Sequence, residues 1–473
     1  MRKVYILFLG LLALGSWGCD DFLEENSQDL VIPKTVENYK EFLYGEGLNN
    51  RLVINDYLDV MTDDAVEEIN TRTSRRDDKR QVMWSYFTWQ QYPETQIDNT
   101  LKEDLAWGEY YHRILIANII LDGVNNAAGS EAEKADLAGE AYFLRAWSYF
   151  MLVNLYGKPY IDGEQAKKDF GVPINEAVSI EEKPLSRARL QEVYDLMEKD
   201  IKASIDNFKR AGVAKNIFRP NLATSYLLAS RIALFQKKYE ATVAYADSVF
   251  MHTNATLYDL NGTFQSDENF LMEKNTEILF SYGWSNMNDF FNYSTSYRAY
   301  YVPSPELLAL FSPEDKRGSF LCFDKNSNMK KPRKWYYLKN SVFAHAFRLS
   351  EAYLNRAEAN ACIGNWQAAA NDVNEIRRYR IPGDYEIVAT AETILQQVKD
   401  ERRVEFCFEG FRWFDLRRWD RPEIRHRYSS EENPSDFIEY VLKKDDPAYT
   451  LPLPKKERDM NVGIENIDRP RRN

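Results

Sequence analysis

The chain has 473 residues, 44% of them hydrophobic, 14% aromatic and 28% charged, with a formal net charge of -12. That acidity argues against nucleic acid or an anionic lipid surface as the main partner, because neither is drawn to negative surface. The length is ample for a large core and would allow about three domains.

The first element is an export signal. Arg2 and Lys3 precede an apolar run from Val4 to Leu14 that is interrupted only by Gly10. The run is too short to span a bilayer and reads as a cleaved signal over residues 1 to 18. Gly15-Ser16-Trp17-Gly18-Cys19 followed by Asp20-Asp21 resembles a bacterial lipoprotein site, which makes Cys19 the expected lipidated first residue of the segment 19 to 473. An ordinary secretory signal with a chance cysteine is the alternative. No later stretch approaches the roughly 18 to 20 apolar residues of a spanning helix.

Beyond the signal the chain reads as mostly helix. Apolar residues at three-and-four spacing predict helices over Leu101 to Val124 and Glu131 to Tyr156. The same pattern predicts Leu190 to Phe208, Asn221 to Gln236, Glu240 to Phe250, Arg348 to Ile363, Gln367 to Arg378 and Ala391 to about Phe408. Gly157-Lys158-Pro159 and Gly364-Asn365 are the stops such helices need. Two irregular insertions interrupt them, about 70–98 and about 252–345. The first carries Met83-Trp84-Ser85-Tyr86-Phe87-Thr88-Trp89, with aromatics on both parities, so it is not a half-buried strand. The second opens on a strand-like run, Glu277 to Tyr282, and continues through Trp284, Tyr293 and Tyr297 among Asn, Ser and Thr.

Internal repetition orders the helices. Glu140-Ala141-Tyr142-Phe143-Leu144-Arg145-Ala146 is echoed by Glu351-Ala352-Tyr353-Leu354-Asn355-Arg356-Ala357, and more weakly by Thr224 to Ser230. After the last two copies the register continues, Tyr239 matching Trp366, Ala241 matching Ala368 and Val249 matching Ile376. The pattern resembles the tetratricopeptide repeat, in which small and aromatic positions interlock an antiparallel helix pair. The expected fold is all-α, a tetratricopeptide-like scaffold over about 101–157, 190–250 and 348–378, with long irregular insertions and a few short strands. Trp147 and Trp366 lie within the repeat pattern and are expected in its core.

Signatures of catalysis are missing. There is no H-E-x-x-H, no G-x-S-x-G, no phosphate loop and no dinucleotide fingerprint. The four histidines are scattered, so neither a histidine metal site nor any cofactor is expected. Cys322, Cys362 and Cys407 form no disulfide framework, and Cys362 and Cys407 read as small buried apolar residues. The arginines between Asp400 and Trp419 could serve an anionic ligand, but nearly balanced charge favours pairing on a helix flank with the aromatics buried.

That last stretch resembles the C-terminal signature of the RagB/SusD family, on Glu401-Arg402-Arg403, Glu409-Gly410-x-Arg412 and Asp415-Leu416-x-Arg418-Trp419. Ala141 to Ala146 with Asn154-Leu155-Tyr156-Gly157 is similar to the family's earlier helix signature, and Leu451-Pro452-Leu453-Pro454 with Glu457 to its late segment. The resemblance implies a non-catalytic nutrient-binding lipoprotein on the outer face of the outer membrane. It also implies a SusC-like TonB-dependent transporter as partner and an oligomeric ligand, most often a glycan. The acidic residues after Cys19 look like the surface-export signal of such lipoproteins. Family ligand contacts come from segments outside the repeats, which directs attention to Trp84, Tyr86, Trp89, Trp284, Tyr293 and Tyr297. An aromatic face packs on the C–H face of a sugar ring, and neighbouring amides bond its hydroxyls. Core filling or a transporter interface is as good an account of any single one of them. A peptide-binding relative and a protein-docking or adhesion module are the alternative functions.

Overall fold

A computed structural model describes residues 33–48, 55–69, 78–179, 184–262, 269–282, 291, 299–318, 323–324, 329–330, 334, 345–429 and 436–472. Eight helices build the scaffold: α1 Ala106–Gly123, α2 Glu131–Tyr156, α3 Leu190–Ala211, α4 Leu222–Phe235, α5 Tyr239–Met251, α6 Leu349–Cys362, α7 Trp366–Arg378 and α8 Ile394–Phe406. Helix α2 starts in a capping box: Ser130 accepts the Glu133 amide, and the Glu133 carboxylate accepts the Ser130 amide at 2.9 Å. Such a cap contributes about 1 kcal/mol. From Ala135 almost every α2 side chain is buried, as expected of a helix surrounded by others. It ends at Gly157, where a Cβ would meet the Val153 carbonyl oxygen at 2.7 Å.

Helix α1 begins five residues later than its apolar pattern suggests. Thr95 and Leu101 form an antiparallel bridge instead, and the Asp104 carboxylate caps the Ala106 amide at 3.1 Å. Helix α8 likewise starts at Ile394 rather than Ala391.

Helices α2 and α3, α4 and α5, and α6 and α7 form three pairs. Helix α4 packs on both α2 and α3, α6 on both α4 and α5, and α8 on both α6 and α7. That recurrence is the tetratricopeptide-like stacking the repeats predict. All three sequence echoes fall on the first helix of a pair, and two of them carry ion pairs at the same two positions. Arg145 holds Asp200 of α3 through two 2.7 Å bonds, and Arg356 holds Asp372 of α7 at 3.0 and 2.6 Å. Glu140 pairs with Arg219 at 2.8 Å and Glu351 with Arg231 at 2.6 Å. The weak copy on α4 has Thr224 and Ala229 at those two positions and forms neither pair.

Among the described residues the strands make four two-stranded antiparallel ribbons. Strand β1 (Ala65–Ile69) pairs with β3 (Ala299–Pro303), β2 (Ile278–Tyr282) with β6 (His345–Arg348), β4 (Phe323–Asp324) with β5 (Met329–Lys330), and β7 (Ile424–Tyr428) with β8 (Ile438–Leu442). One continuous apolar core reaches from Val36 through α1 to α4 to Leu453. Trp147 lies in it, 2% exposed. Trp366 does not: as the first residue of α7 it sits on the rim, 37% exposed, which corrects the expectation from the repeat. Cys407 is buried and Cys362 partly so, both as free thiols, while Cys322 lies outside the described residues.

The arginine-rich signature is structural. Glu405 of α8 is buried among three arginines, with Arg317 at 3.0 Å and Arg348 and Arg380 each at 2.9 Å. Those charges hold its carboxyl well below the usual range, although burial works the other way. Arg402 bonds Asp415 at 2.9 Å and Asn355 of α6 at 2.8 Å, and Arg418 clasps Glu358 of α6. Among the described residues Arg417 has no carboxylate partner. It donates to the backbone carbonyls of Tyr449, Gly157 and Asn154, and burial lowers its pKa to about 9. These pairs fix α8 and the segment 412–418 against α2 and α6.

Candidate functional site

The first aromatic insertion is fastened at both ends before any of its rings can serve a ligand. Arg80 is fully buried. It bonds Asp78 at 2.7 Å, Glu67 of β1 and the Ser429 carbonyl at 2.8 Å, and lies 4.5 Å over the Tyr428 ring of β7. A 3-10 turn, Gln81–Met83, then leads into the one-turn helix Trp84–Phe87.

The three expected ligand aromatics of this segment part company here. Tyr86 is 1% exposed and stacks flat on Tyr57, with ring centres 4.2 Å apart. Trp89 is fully buried, donates its indole N–H to the Met61 carbonyl at 2.9 Å and stacks on His426 at 4.3 Å. Neither ring leaves a face for a ligand, so both belong to the core and leave the set of expected contacts. His426 is gripped between Trp89 and Phe87, its two ring nitrogens 2.7 and 2.9 Å from the Phe87 and Thr62 carbonyl oxygens. Those oxygens favour the charged ring, but burial outweighs them and pushes its pKa down to about 4.

Trp84 is different. It is half-buried, and the rings of Tyr428 and Tyr440, one from each strand of the β7–β8 hairpin, stand steeply to it with centres 6.4 Å away. Val82 is exposed, and so is Ile438, the cross-strand partner of Tyr428. Phe437 is exposed next to Ile438, with the Arg427 guanidinium 4.5 Å over its ring. The indole, Tyr428, Tyr440 and Ile438 thus share one face of the hairpin and form an aromatic and aliphatic surface suited to stacking, while Arg427 alternates onto the opposite face. Trp284, Tyr293 and Tyr297 lie outside the described residues. The β7–β8 contribution had no sequence signal of its own, because Tyr428, Phe437 and Tyr440 lie far from both insertions in the chain.

Below the patch, carboxylates and signature arginines tie the start of β1 to the scaffold. Arg412 bonds Asp63 at 2.7 and 2.8 Å, and Arg403 bonds Asp64 at 2.6 Å. Asp59 accepts the Gly410 amide at 3.2 Å, where the backbone takes the left-handed φ of 78° that glycine tolerates. Burial, with Asp64 and Glu409 nearby, raises the Asp59 pKa to about 7. Among the described residues no cluster of three histidine, cysteine or acidic side chains could hold a metal, and no helix is long and apolar enough to cross a membrane.

Comparison with known proteins covers nearly the whole chain. Residues 21–234 match a family model described as starch-binding associating with outer membrane, and residues 237–468 match that of the SusD family. A SusD-like protein of Bacteroides ovatus is 22% identical over 425 residues, covering 77% of this chain and 74% of its own length. A SusD-like protein of Formosa agariphila is 29% identical over 165 residues, 33% of this chain, and the chain spans only 31% of that relative. The fold is similar to that of a SusD-like carbohydrate-binding protein of Bacteroides vulgatus, with a TM-score of 0.63 at 18% identity over 91% of this chain and 97% of that one.

Proposed function

The chain belongs to the SusD family, and from that premise we propose that it captures an oligomeric glycan at the outer face of the outer membrane and hands it to a SusC-like TonB-dependent transporter. In this reading it is a binding protein and not an enzyme, held to the membrane by acyl chains on Cys19. The family description supports the coarse part, starch binding at the outer membrane. The observation that carries the ligand proposal is Trp84, the half-buried ring of the first insertion, packed steeply against a tyrosine from each strand of the β7–β8 hairpin. Such a ring offers a flat apolar surface to a sugar, and its bracing keeps the ordering cost of binding low.

A glycan array probed with detergent-solubilised protein identifies a ligand, and calorimetric titration then compares variants. Trp84→Ala should lose about 2 kcal/mol of binding, roughly thirtyfold in affinity, with little change in melting temperature. Retention of no glycan, or undiminished affinity in Trp84→Ala, overturns the reading. The anchor has its own test: a fatty-acid analogue should label the wild-type protein in cells and leave Cys19→Ser unlabelled and released from the membrane.

A further inference from the structure

A cavity of about 720 Å³ opens between the start of α1, residues Pro173, Asn175, Pro184 and Leu185, and the C-terminal helix Lys455–Met460. Its walls are apolar: Trp107 and Tyr111 of α1 on one side, Leu185 and Met460 on the other. Four carboxylates line it, Glu103, Asp104, Glu109 and Glu457, against one lysine, Lys456. Glu457 accepts the Trp107 indole N–H at 3.2 Å and an Asn461 amide hydrogen at 3.3 Å, and has no cation within ion-pair distance among the described residues. The rim is more apolar than a solvent-facing surface requires. Met460 is 74% exposed, and Leu101 and Val462, close in sequence to the lining, are also exposed.

We infer that this cavity is a docking site for a partner protein, and that it takes a basic, aliphatic-rich segment. A lysine or arginine of that segment would lie against Glu103 and Glu457, with a neighbouring aliphatic side chain on the Trp107–Met460 wall. Charge complementarity favours a cationic occupant, since the acidic border is offset by a single lysine in a chain that is itself strongly negative. The aromatic geometry disfavours a sugar. Trp107 is 8% exposed, pinned by its N–H to Glu457 and met edge-on by Tyr156 at 5.2 Å, so no flat ring face is offered. A flexible thioether on the rim suits side chains that pack in more than one way. The cavity volume falls in the range of well-formed ligand pockets and accommodates a few side chains. The site shares none of its lining with the Trp84 patch, so the two proposals stand or fall separately.

The test uses detergent-solubilised full-length protein and two fluorescein-labelled twelve-residue peptides, one alternating lysine with leucine and one alternating glutamate with leucine, read by fluorescence anisotropy. The lysine peptide should bind at least tenfold more tightly than the glutamate peptide. Glu103→Lys and Met460→Asp change exposed side chains and should each weaken the lysine peptide tenfold or more. Glu131→Lys, an exposed charge reversal at the start of α2, should leave it unchanged, which separates the cavity from general attraction to an acidic protein. Equal binding of the two peptides, equal effects of Glu103→Lys and Glu131→Lys, or displacement of the lysine peptide by maltoheptaose overturns the inference.

Discussion

Asp59 carries an unusual cost for one carboxyl group. Its pKa of about 7 lies above the value near 3.8 of the free side chain, so the folded protein holds a proton that the unfolded chain has already released. A raised folded pKa contributes stability that is fully present below about pH 4 and lost as the pH rises through about 7. The difference corresponds to roughly 4 kcal/mol at most between the two ends of that window. Asp59→Asn removes the buried charge, and its amide oxygen can still accept the Gly410 N–H. The variant should therefore melt higher than wild type at pH 8 and level with it at pH 4. Equal shifts at both pH values would show that the ionisation is not the cause.

At the scale of elements, the ion pairs that hold α8 in place differ in worth from those on the surface. Glu405 is buried among Arg317, Arg348 and Arg380, which also hold Asp315, Glu401, Glu277 and Glu409, and its loss removes the one carboxylate that all three guanidinium groups share in a dry interior. Glu405→Gln should cost about 3 to 5 kcal/mol in urea unfolding, whereas Glu439→Gln, which loses an exposed pair with Arg425, should cost less than about 1 kcal/mol. A Glu405→Gln variant no weaker than Glu439→Gln would mean that the cluster relaxes or admits water. The helices themselves were legible in the sequence because a 3.6-residue period is a local signal, and α2 begins and ends at the residues it predicts. Their first turns were less so. Residues 101 to 105 continue the apolar pattern of α1, but hydrogen bonds around the Thr95–Leu101 bridge hold them out of the helix. Trp84, Tyr86 and Trp89 looked alike because what separates them is remote: Tyr57 covers one, His426 covers another, and β7 and β8 leave the third half open.

Across the whole molecule, the two matching family models meet at residues 235–236, at the turn between α4 and α5. The physical unit does not divide there. The helix pair straddles the junction, and one apolar core runs through both parts from Val36 to Leu453. Calorimetric unfolding should accordingly give a single transition, with van't Hoff and calorimetric enthalpies in agreement. Two resolved peaks, or a stable fragment ending near residue 236, would show that the halves fold separately.

The clasp that Arg417 places on Asn154 and Gly157 also sets an order in time. Synthesis delivers α2 long before it delivers Arg417, or Leu451, whose amide bonds the Leu155 carbonyl at 3.0 Å. Arg472, which donates to the Trp89 carbonyl at 3.0 Å, arrives later still. Until then the Asn154 and Leu155 carbonyls at the end of α2 lack these donors, and the aromatic insertion lacks one of its fastenings. These contacts of the early chain are completed only when its final segment returns to its beginning.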